Sequence, residues 1–263
     1  MVSDTHAGKL SVGEGVARRE IATLRRDGSA PGLFWLGGFK SDMTGTKALA
    51  LDAHAAGRGL AMTRFDYSGH RASGGSFENG TISRWLEESL AVFDRTSGPQ
   101  IIVGSSMGGW LALLLTEAHR ASVGDDMSRV AGLVLIAPAV DMTRELMWAE
   151  MDEAAREQLN RTGAWQKPSD YSEEPYLITK KLIEDGDMHI FGERLIETGC
   201  PVHIIQGVGD TDVPWQHTTA LVSRFASDDV VLTLVKDGDH RLSRPEDIER
   251  MIGAVEGLIA EAE

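Results

Sequence analysis

The sequence predicts an α/β fold in which a mostly parallel central sheet is covered by helices on both faces. Apolar runs of strand length alternate with segments of helical periodicity along most of the 263-residue chain, and such alternation is typical of strand–helix–strand units. Several of the strand-like runs are apolar without interruption, which indicates that both faces of the sheet are buried. A chain of this length suits one such domain with a large core.

The first half of the chain is expected to form four strands and three helices. The predicted strands cover residues 20–26, 33–36, 61–65 and 100–103. The predicted helices cover residues 46–56, residues 81–93 and a segment from residue 108 to about residue 121. Apolar residues in the second of these helices recur every three or four positions, as one buried face of a helix requires.

Three further strands and a last helix are predicted in the second half. The strands cover residues 131–136, 202–206 and 230–235, and Pro138 ends the first of them. The last helix is expected to begin near Ser243, because Ser243 and Glu246 have the Ser-x-x-Glu spacing of a capping box.

Residues 141–199 interrupt the alternation and are predicted to form a helical lid inserted into a core of residues 1–140 and 200–263. This segment is rich in methionine, aromatic and acidic residues. We expect the lid to cover the carboxyl ends of the strands, where open α/β sheets bind ligands, and we expect Trp148 and Met151 to line the substrate pocket. A long helical connection with aromatic packing is the alternative.

The composition excludes several classes of function. A net charge of −14 argues against nucleic acid and against an anionic membrane surface as partners. The single cysteine, Cys200, excludes an internal disulfide and a cysteine-based metal site, and it is expected to be a buried structural thiol. No apolar stretch is long enough to span a membrane, and no signal-peptide core is visible. We therefore expect a cytoplasmic protein, or one of the mitochondrial matrix if the chain is a mature form; the sequence leaves its oligomeric state open.

The most informative motif is Gly-Ser-Ser-Met-Gly at residues 104–108, which has the pattern Gly-x-Ser-x-Gly. A β-branched run precedes it and an apolar helical run follows it, and this context makes the short pattern specific. Such a strand–turn–helix is a nucleophile elbow, in which a strained turn projects the Ser106 hydroxyl from the end of the sheet. Gly104 and Gly108 are expected because strand and helix approach each other closely there.

A serine hydroxyl becomes a good nucleophile only beside a base, and the base needs a carboxylate to orient it. Among the eight histidines, His240 follows the last predicted strand, where Gly238 permits a sharp turn. Asp210 is the first carboxylate after the strand at residues 202–206, so we expect it to lie beside His240. Asp212 is the alternative acid.

The remaining histidines are weaker candidates. His70 follows a predicted strand and either lines the site or has a structural role. His203 lies within a predicted strand, whereas His119 and His217 lie on predicted helices, and all three are expected outside the site.

Two backbone N–H groups are expected to stabilise the negative charge that develops on the acyl oxygen. One belongs to Met107, which directly follows the nucleophile. The other belongs to Phe39, because Gly37 and Gly38 allow the loop after the second predicted strand to approach Ser106.

Over essentially its whole length the chain resembles the α/β-hydrolase superfamily, whose chain order of serine, aspartate and histidine it shares. It is most similar to the subfamily of the mitochondrial palmitoyl-protein thioesterase, also described as an acyl-glucuronide esterase, and its bacterial relatives. The segments that carry this resemblance are residues 37–43, 104–110, 206–215 and 237–243. The resemblance implies an α/β-hydrolase fold and a triad of Ser106, Asp210 and His240. It also implies hydrolysis of acyl thioesters or activated acyl esters, with no metal and no organic cofactor.

These residues predict a serine hydrolase that cleaves acyl esters or thioesters through an acyl-enzyme on Ser106, with a small molecule or an acylated protein as substrate. An acyltransferase is an alternative, as is an amidase or aminopeptidase that would hold a substrate amine through Glu150 or Glu173. A binding protein on the same scaffold is disfavoured because all three triad residues are present. No Gly-x-Gly-x-x-Gly motif opens the first helix, so a dinucleotide-binding oxidoreductase is not predicted.

Overall fold

The computed structural model describes residues 5–167, 176–226 and 229–262, and its centre is an eight-stranded sheet. Ten strands are present in these residues: β1 (Thr5–Val12), β2 (Arg19–Arg26), β3 (Ser29–Leu36), β4 (Leu60–Phe65), β5 (Gln100–Ser105), β6 (Val130–Ile136), β7 (Ala164–Lys167), β8 (Tyr176–Thr179), β9 (Val202–Gly207) and β10 (Val230–Val235). The central sheet has the order β1-β2-β4-β3-β5-β6-β9-β10. β1 and β2 are antiparallel to their neighbours, and the other six strands pair in parallel.

Helices cover both faces of this sheet. Seven α-helices are described: α1 (Thr46–Arg58), α2 (Ile82–Phe93), α3 (Met107–Val123), α4 (Glu153–Thr162), α5 (Lys180–Gly186), α6 (Trp215–Val222) and α7 (Pro245–Ala262). Successive strand residues point to opposite faces, so Phe34 packs in the core with residues of α2 and α3. Its neighbour Leu33 packs in the second core with residues of α1 and α7. The burial predicted for both faces of the sheet is thus confirmed, and no helix of the described ranges is long and apolar enough to cross a bilayer.

Two strands differ from the prediction. β1 was not expected, because most of its side chains are exposed and it pairs with β2 at the edge of the sheet through backbone groups. β3 begins at Ser29, earlier than expected, although Pro31 and Gly32 are residues typical of turns. Their backbone nevertheless belongs to the sheet, since Gly32 N–H donates to Pro99 O at 2.9 Å.

The beginning of α7 also differs from the predicted capping box. The Ser243 hydroxyl donates to Arg241 O at 2.9 Å, and the helix begins two residues later at Pro245. Asp247, one residue beyond the expected Glu246, accepts from the Arg244 backbone N–H at 3.2 Å. Proline at the first helical position explains this shift, because it needs no hydrogen-bond acceptor there.

The β6–β9 segment, residues 141–199, is helical only in part. It contains a π-helix at Thr143–Trp148, then α4, the antiparallel hairpin β7–β8, and α5. The prediction of a helical insertion missed this hairpin, whose strands are only four residues long. The segment has an apolar cluster of its own, formed by Met151, Ala155, Leu159, Ile178 and Ile183.

Candidate active site

Ser106 occupies a sharp turn between β5 and α3. Its backbone has φ 55° and ψ −118°, a conformation that costs a non-glycine residue about 1–3 kcal/mol. Hydrogen bonds from two sides hold this turn: Ser106 N–H donates to Ile136 O at 2.8 Å, and Ala139 N–H donates to Ser106 O at 3.1 Å. The hydroxyl is therefore presented at the carboxyl end of the sheet by a rigid backbone.

The glycines around Ser106 permit a close approach of backbone segments. A Cβ on Gly104 would lie 2.4 Å from Gly108 O, and a Cβ on Gly108 would lie 2.1 Å from Leu36 O. Neither distance is compatible with a real Cβ, so strand, helix and β3 meet only because these positions lack side chains. Gly38 is less confined, since a Cβ there would lie 3.3 Å from Ser106 Cβ, which is a tight contact.

His240 lies between Ser106 and Asp210. Its Nε2 is 3.2 Å from Ser106 Oγ, and its Nδ1 is 2.8 Å from Asp210 Oδ2. The three residues come from the ends of β5, β9 and β10, which are far apart in the chain and lie at one edge of the sheet. Both contacts are within hydrogen-bonding distance.

Four hydrogen bonds hold the buried Asp210 carboxylate. Oδ2 accepts from His240 and from Gln206 Nε2 at 3.2 Å, and Oδ1 accepts from the backbone N–H groups of Asp212 at 2.9 Å and Val213 at 2.8 Å. The side chain of Asp210 has no exposed surface, so its orientation is fixed.

Asp212 lies beside this pair. A carboxylate oxygen of Asp212 and ligand atoms of Asp210 and His240 lie within 4.8 Å of one another, a spacing that a metal ion could bridge. His240 Nδ1 is paired with Asp210 Oδ2 at 2.8 Å, so binding a metal through this nitrogen would require breaking that hydrogen bond.

The loop that carries His240 is attached to α1. Lys47 Nζ donates to Arg241 O and lies 3.4 Å from Ser243 Oγ. Burial lowers the pKa of Lys47 to about 8. The sequence analysis did not identify Lys47, because its partner lies almost two hundred positions away.

The two residues predicted to supply backbone donors belong to segments that lead to Ser106: Met107 directly follows it in the chain, and Phe39 lies in the loop after β3. Met107 is the first residue of α3, where N–H groups have no acceptor within the helix. Phe39 follows Gly38, where an added Cβ would lie 3.3 Å from Ser106 Cβ, and the Phe39 ring packs against Phe77 with 5.0 Å between ring centroids.

The four other histidines considered above have partners other than Ser106 and Asp210. His70 is 3% exposed and lies 3.2 Å from both Lys40 N and Ser68 O. His119 accepts from the Arg129 backbone N–H at 3.2 Å, and His203 lies 3.0 Å from Thr233 Oγ1. His217 lines a separate depression beside Asp141 and Arg224.

A largely apolar cavity opens beside Ser106 and His240. Its other lining residues are Phe39, Ala139, Met142, Leu146, Met147, Glu150, Lys167, Tyr176, Ile178, Asp212 and Val213. Most of the residues from the β6–β9 segment were missed by the sequence analysis. The apolar spacing of Met142, Leu146 and Met147 within one helical segment is the signal that points to them.

Trp148 and Met151 were predicted to line this cavity, but neither is among its lining residues. Met151 is 3% exposed and packs in the apolar cluster of the β6–β9 segment. Trp148 lines a different depression with Arg144 and Asn160, and Arg156 lies over its ring. The reason is the phase of the π-helix, in which Met147 faces the cavity while the next side chain faces away.

A mostly parallel sheet with a serine in a strained turn after a central strand is the architecture of the α/β hydrolases. Residues 30–251 match the model of the alpha/beta hydrolase family, and the chain belongs to this family. The predicted fold class and the family resemblance are therefore confirmed.

Relatives within the family are similar over most of the chain. Human mitochondrial palmitoyl-protein thioesterase ABHD10 is 34% identical over 241 residues, which are 91% of this chain and 76% of the human protein. The solved structure of mouse α/β hydrolase domain-containing protein 10 has a TM-score of 0.85 and 31% identity, and covers 97% of this chain and 100% of the mouse chain. The crystal structure of a protein described as a hydrolase from Agrobacterium vitis S4 has a TM-score of 0.94 and 50% identity, and covers 97% of this chain and 99% of the Agrobacterium chain.

Proposed function

We propose that this protein is a serine hydrolase that cleaves acyl esters or acyl thioesters through an acyl-enzyme on Ser106. The observation that carries the proposal is the pair of contacts at His240, with Nε2 3.2 Å from Ser106 Oγ and Nδ1 2.8 Å from Asp210 Oδ2. Membership of the α/β hydrolase family and the relatives named as thioesterases support it.

The reaction has two halves. Ser106 Oγ attacks the acyl carbon while its proton moves to His240 Nε2, and the tetrahedral intermediate then expels the alcohol or thiol, which takes that proton. Water next attacks the acyl-enzyme and gives a proton to His240, and the acid leaves as Ser106 recovers the proton. Asp210 keeps the hydrogen of His240 on Nδ1 and stabilises the imidazolium.

We assign the stabilisation of the negative charge on the acyl oxygen to the backbone N–H groups of Met107 and Phe39. The amino end of α3 adds a partial positive charge near Ser106. Loss of one such donor costs roughly 3 kcal/mol of transition-state stabilisation in enzymes of this kind. Side-chain substitutions at these two positions leave the donors in place because both are backbone groups.

The walls of the cavity favour an acyl chain. Met142, Leu146, Met147 and Ile178 contribute apolar surface next to Ser106, and the thioesterase named among the relatives acts on palmitoylated proteins by its name. An amine-binding role for Glu150 is less well supported, because its carboxylate is paired with Lys167. Glu173, the other residue considered for that role, lies outside the described residues.

The test compares Ser106→Ala with Ser105→Ala, which removes the neighbouring hydroxyl instead. Both variants and the wild type are assayed with p-nitrophenyl esters and acyl thioesters of graded chain length, and are labelled with a fluorophosphonate probe. We expect Ser106→Ala to lose roughly 10⁴- to 10⁶-fold in kcat and all labelling, whereas Ser105→Ala keeps both. Wild-type turnover in Ser106→Ala would refute the proposal.

A further inference from the structure

The loop that carries Phe39 is held from outside by a second segment of the chain. This β3 loop, residues 37–43, receives three contacts from residues 66–70, which directly follow β4. Tyr67 Oη donates to Gly37 O at 3.3 Å, Lys40 N–H lies 3.2 Å from His70 Nε2, and Met43 N–H donates to Asp66 Oδ1 at 2.7 Å. The His70 contact is the one nearest to Phe39.

The neighbours of His70 determine which ring nitrogen carries the hydrogen. Nδ1 lies 3.2 Å from Ser68 O, and a carbonyl can only accept, so Nδ1 must donate. The lone pair of Nε2 is then free to accept from the Lys40 N–H. Both contacts are satisfied by one neutral tautomer.

Aromatic packing fixes the position of this imidazole. The ring centroid of His70 lies 5.5 Å from that of Tyr67, 5.2 Å from that of Phe77 and 5.4 Å from that of Trp85. Burial lowers the pKa of His70 to about 4, so the ring remains neutral, and able to accept, near neutral pH.

The peptide bond that His70 holds lies next to the proposed donor. Lys40 has φ 57°, a left-handed conformation that a residue with a side chain rarely adopts, so this turn depends on outside support. The Lys40 N–H belongs to the same peptide plane as Phe39 C=O, and fixing that plane restricts the orientation of Phe39 and of its own N–H.

We propose that His70 is a positioning residue, which holds the β3 loop so that Phe39 N–H meets the negative charge of the transition state. The proposal rests on the function proposed above. A displacement of about 1 Å of such a group can lower the rate about 100-fold. Loss of the His70 acceptor should therefore reduce kcat, although His70 itself does not contact substrate.

The test removes or keeps the acceptor at position 70. His70→Leu and His70→Asn both lose an acceptor that reaches Lys40 N–H, whereas the longer amide of His70→Gln keeps one. We expect the first two to lower kcat by roughly 10- to 100-fold, with KM changed less than about twofold. Binding of an acyl trifluoromethyl ketone, which forms an oxyanion on the serine, should weaken by the same factor, and His70→Gln should restore most of both.

His119→Leu is the matched control. His119 is also buried and also accepts a backbone N–H, from Arg129 at 3.2 Å, but it lies roughly 20 Å from Ser106 along α3 at about 1.5 Å per residue. We expect His119→Leu and His70→Leu to lower the Tm similarly, and only His70→Leu to lose kcat and inhibitor affinity. Should His70→Leu fail to fold, His70→Asn and His70→Gln provide the same comparison.

Two results would overturn the role of His70: kcat in His70→Leu and His70→Asn equal to that of His119→Leu, or a loss confined to KM. Ser106→Ala, measured in parallel, separates this failure from failure of the proposed function. An inactive Ser106→Ala together with fully active His70 variants refutes only the role of His70. An active Ser106→Ala refutes the function itself.

Discussion

Asp212 donates its backbone N–H to Asp210 Oδ1 at 2.9 Å. The residue that the sequence left open as the alternative acid therefore helps to hold the carboxylate that meets His240. Because Asp210 accepts hydrogen bonds on both oxygens and has no exposed side-chain surface, it cannot turn away from the imidazole. This geometry favours Asp210 as the orienting acid.

Substitution of the two aspartates tests this assignment. We expect Asp210→Asn to lower kcat on the order of 10⁴-fold, because an amide no longer stabilises the imidazolium or the required tautomer. Asp212→Asn keeps the backbone N–H that Asp210 needs, so its kcat should remain within about threefold of the wild type. The measurement is kcat for a p-nitrophenyl ester, with Tm as a control for folding, and the reverse ranking would reassign the acid to Asp212.

Gly108 should tolerate no side chain. In Gly108→Ala the new Cβ would lie 2.1 Å from Leu36 O, so β3 and α3 must separate, and we expect a loss of more than about 3 kcal/mol of unfolding free energy together with activity. Gly253 on α7 is the matched control, because a Cβ there meets nothing within 4 Å. Gly253→Ala should stabilise the protein by about 0.5–1 kcal/mol. Urea unfolding measures the free energy of unfolding of both variants. A Gly108→Ala variant as stable as the wild type would contradict the described turn.

Chain-length preference should respond to Met147 and not to Trp148. Met147→Ala enlarges the cavity beside Ser106, so kcat/KM for long or bulky acyl groups should rise relative to short ones, by roughly tenfold. Trp148→Ala removes a larger side chain that lines a different depression and should leave the ratio nearly unchanged. Assays with esters of graded length check this, and equal shifts in the two variants would show that the acyl group does not bind in this cavity.

Burial of His70 makes the protein sensitive to acid. Since burial lowers the pKa of His70 from 6.5 to about 4, the unfolded chain binds a proton in this interval that the folded protein does not. The free energy of unfolding should therefore fall as pH decreases from about 6.5 to about 4, by up to about 3 kcal/mol from this residue, and level off below.

The measurement for His70 is urea unfolding at a series of pH values between 4 and 7.5. His70→Gln removes the titrating group while keeping an acceptor for Lys40. The slope of its unfolding free energy against pH should therefore be smaller, by the contribution of about one proton. Other buried histidines contribute equally to both proteins. The same slope in the two proteins would show that His70 titrates normally in the folded state.

Features encoded by neighbouring residues were predicted well. The turn at Ser106 combines an apolar strand, two obligatory glycines and an apolar helix within one short stretch of sequence. Asp210 and His240 each lie in the loop after a strand rich in β-branched residues, and parallel strands bring their carboxyl ends to one edge of the sheet. In contrast, β1 has few buried side chains and gains its structure from pairing with β2, so its own pattern was too weak.

The substrate cavity was predicted less well because it depends on packing between segments. The expected pocket residues, Trp148 and Met151, were of the right chemical type. Whether each faces the cavity depends on the rotation of the π-helix and on the hairpin β7–β8. The apolar spacing of Met142, Leu146 and Met147 marks one side of the helical segment, but the strands of the hairpin are only four residues long and too short to give a periodic signal.

From the amino-acid sequence we could predict the fold class, the family, Ser106, His240 and two candidate aspartates, Asp210 and Asp212. These rest on hydrophobic periodicity and on steric requirements of single turns, both of which act over a few residues. The packing of the folded chain determines which carboxylate meets His240, which side chains line the cavity and how His70 reaches the loop beside Ser106. Those contacts join residues distant in the chain, and their distances follow from how helices and loops pack on the sheet.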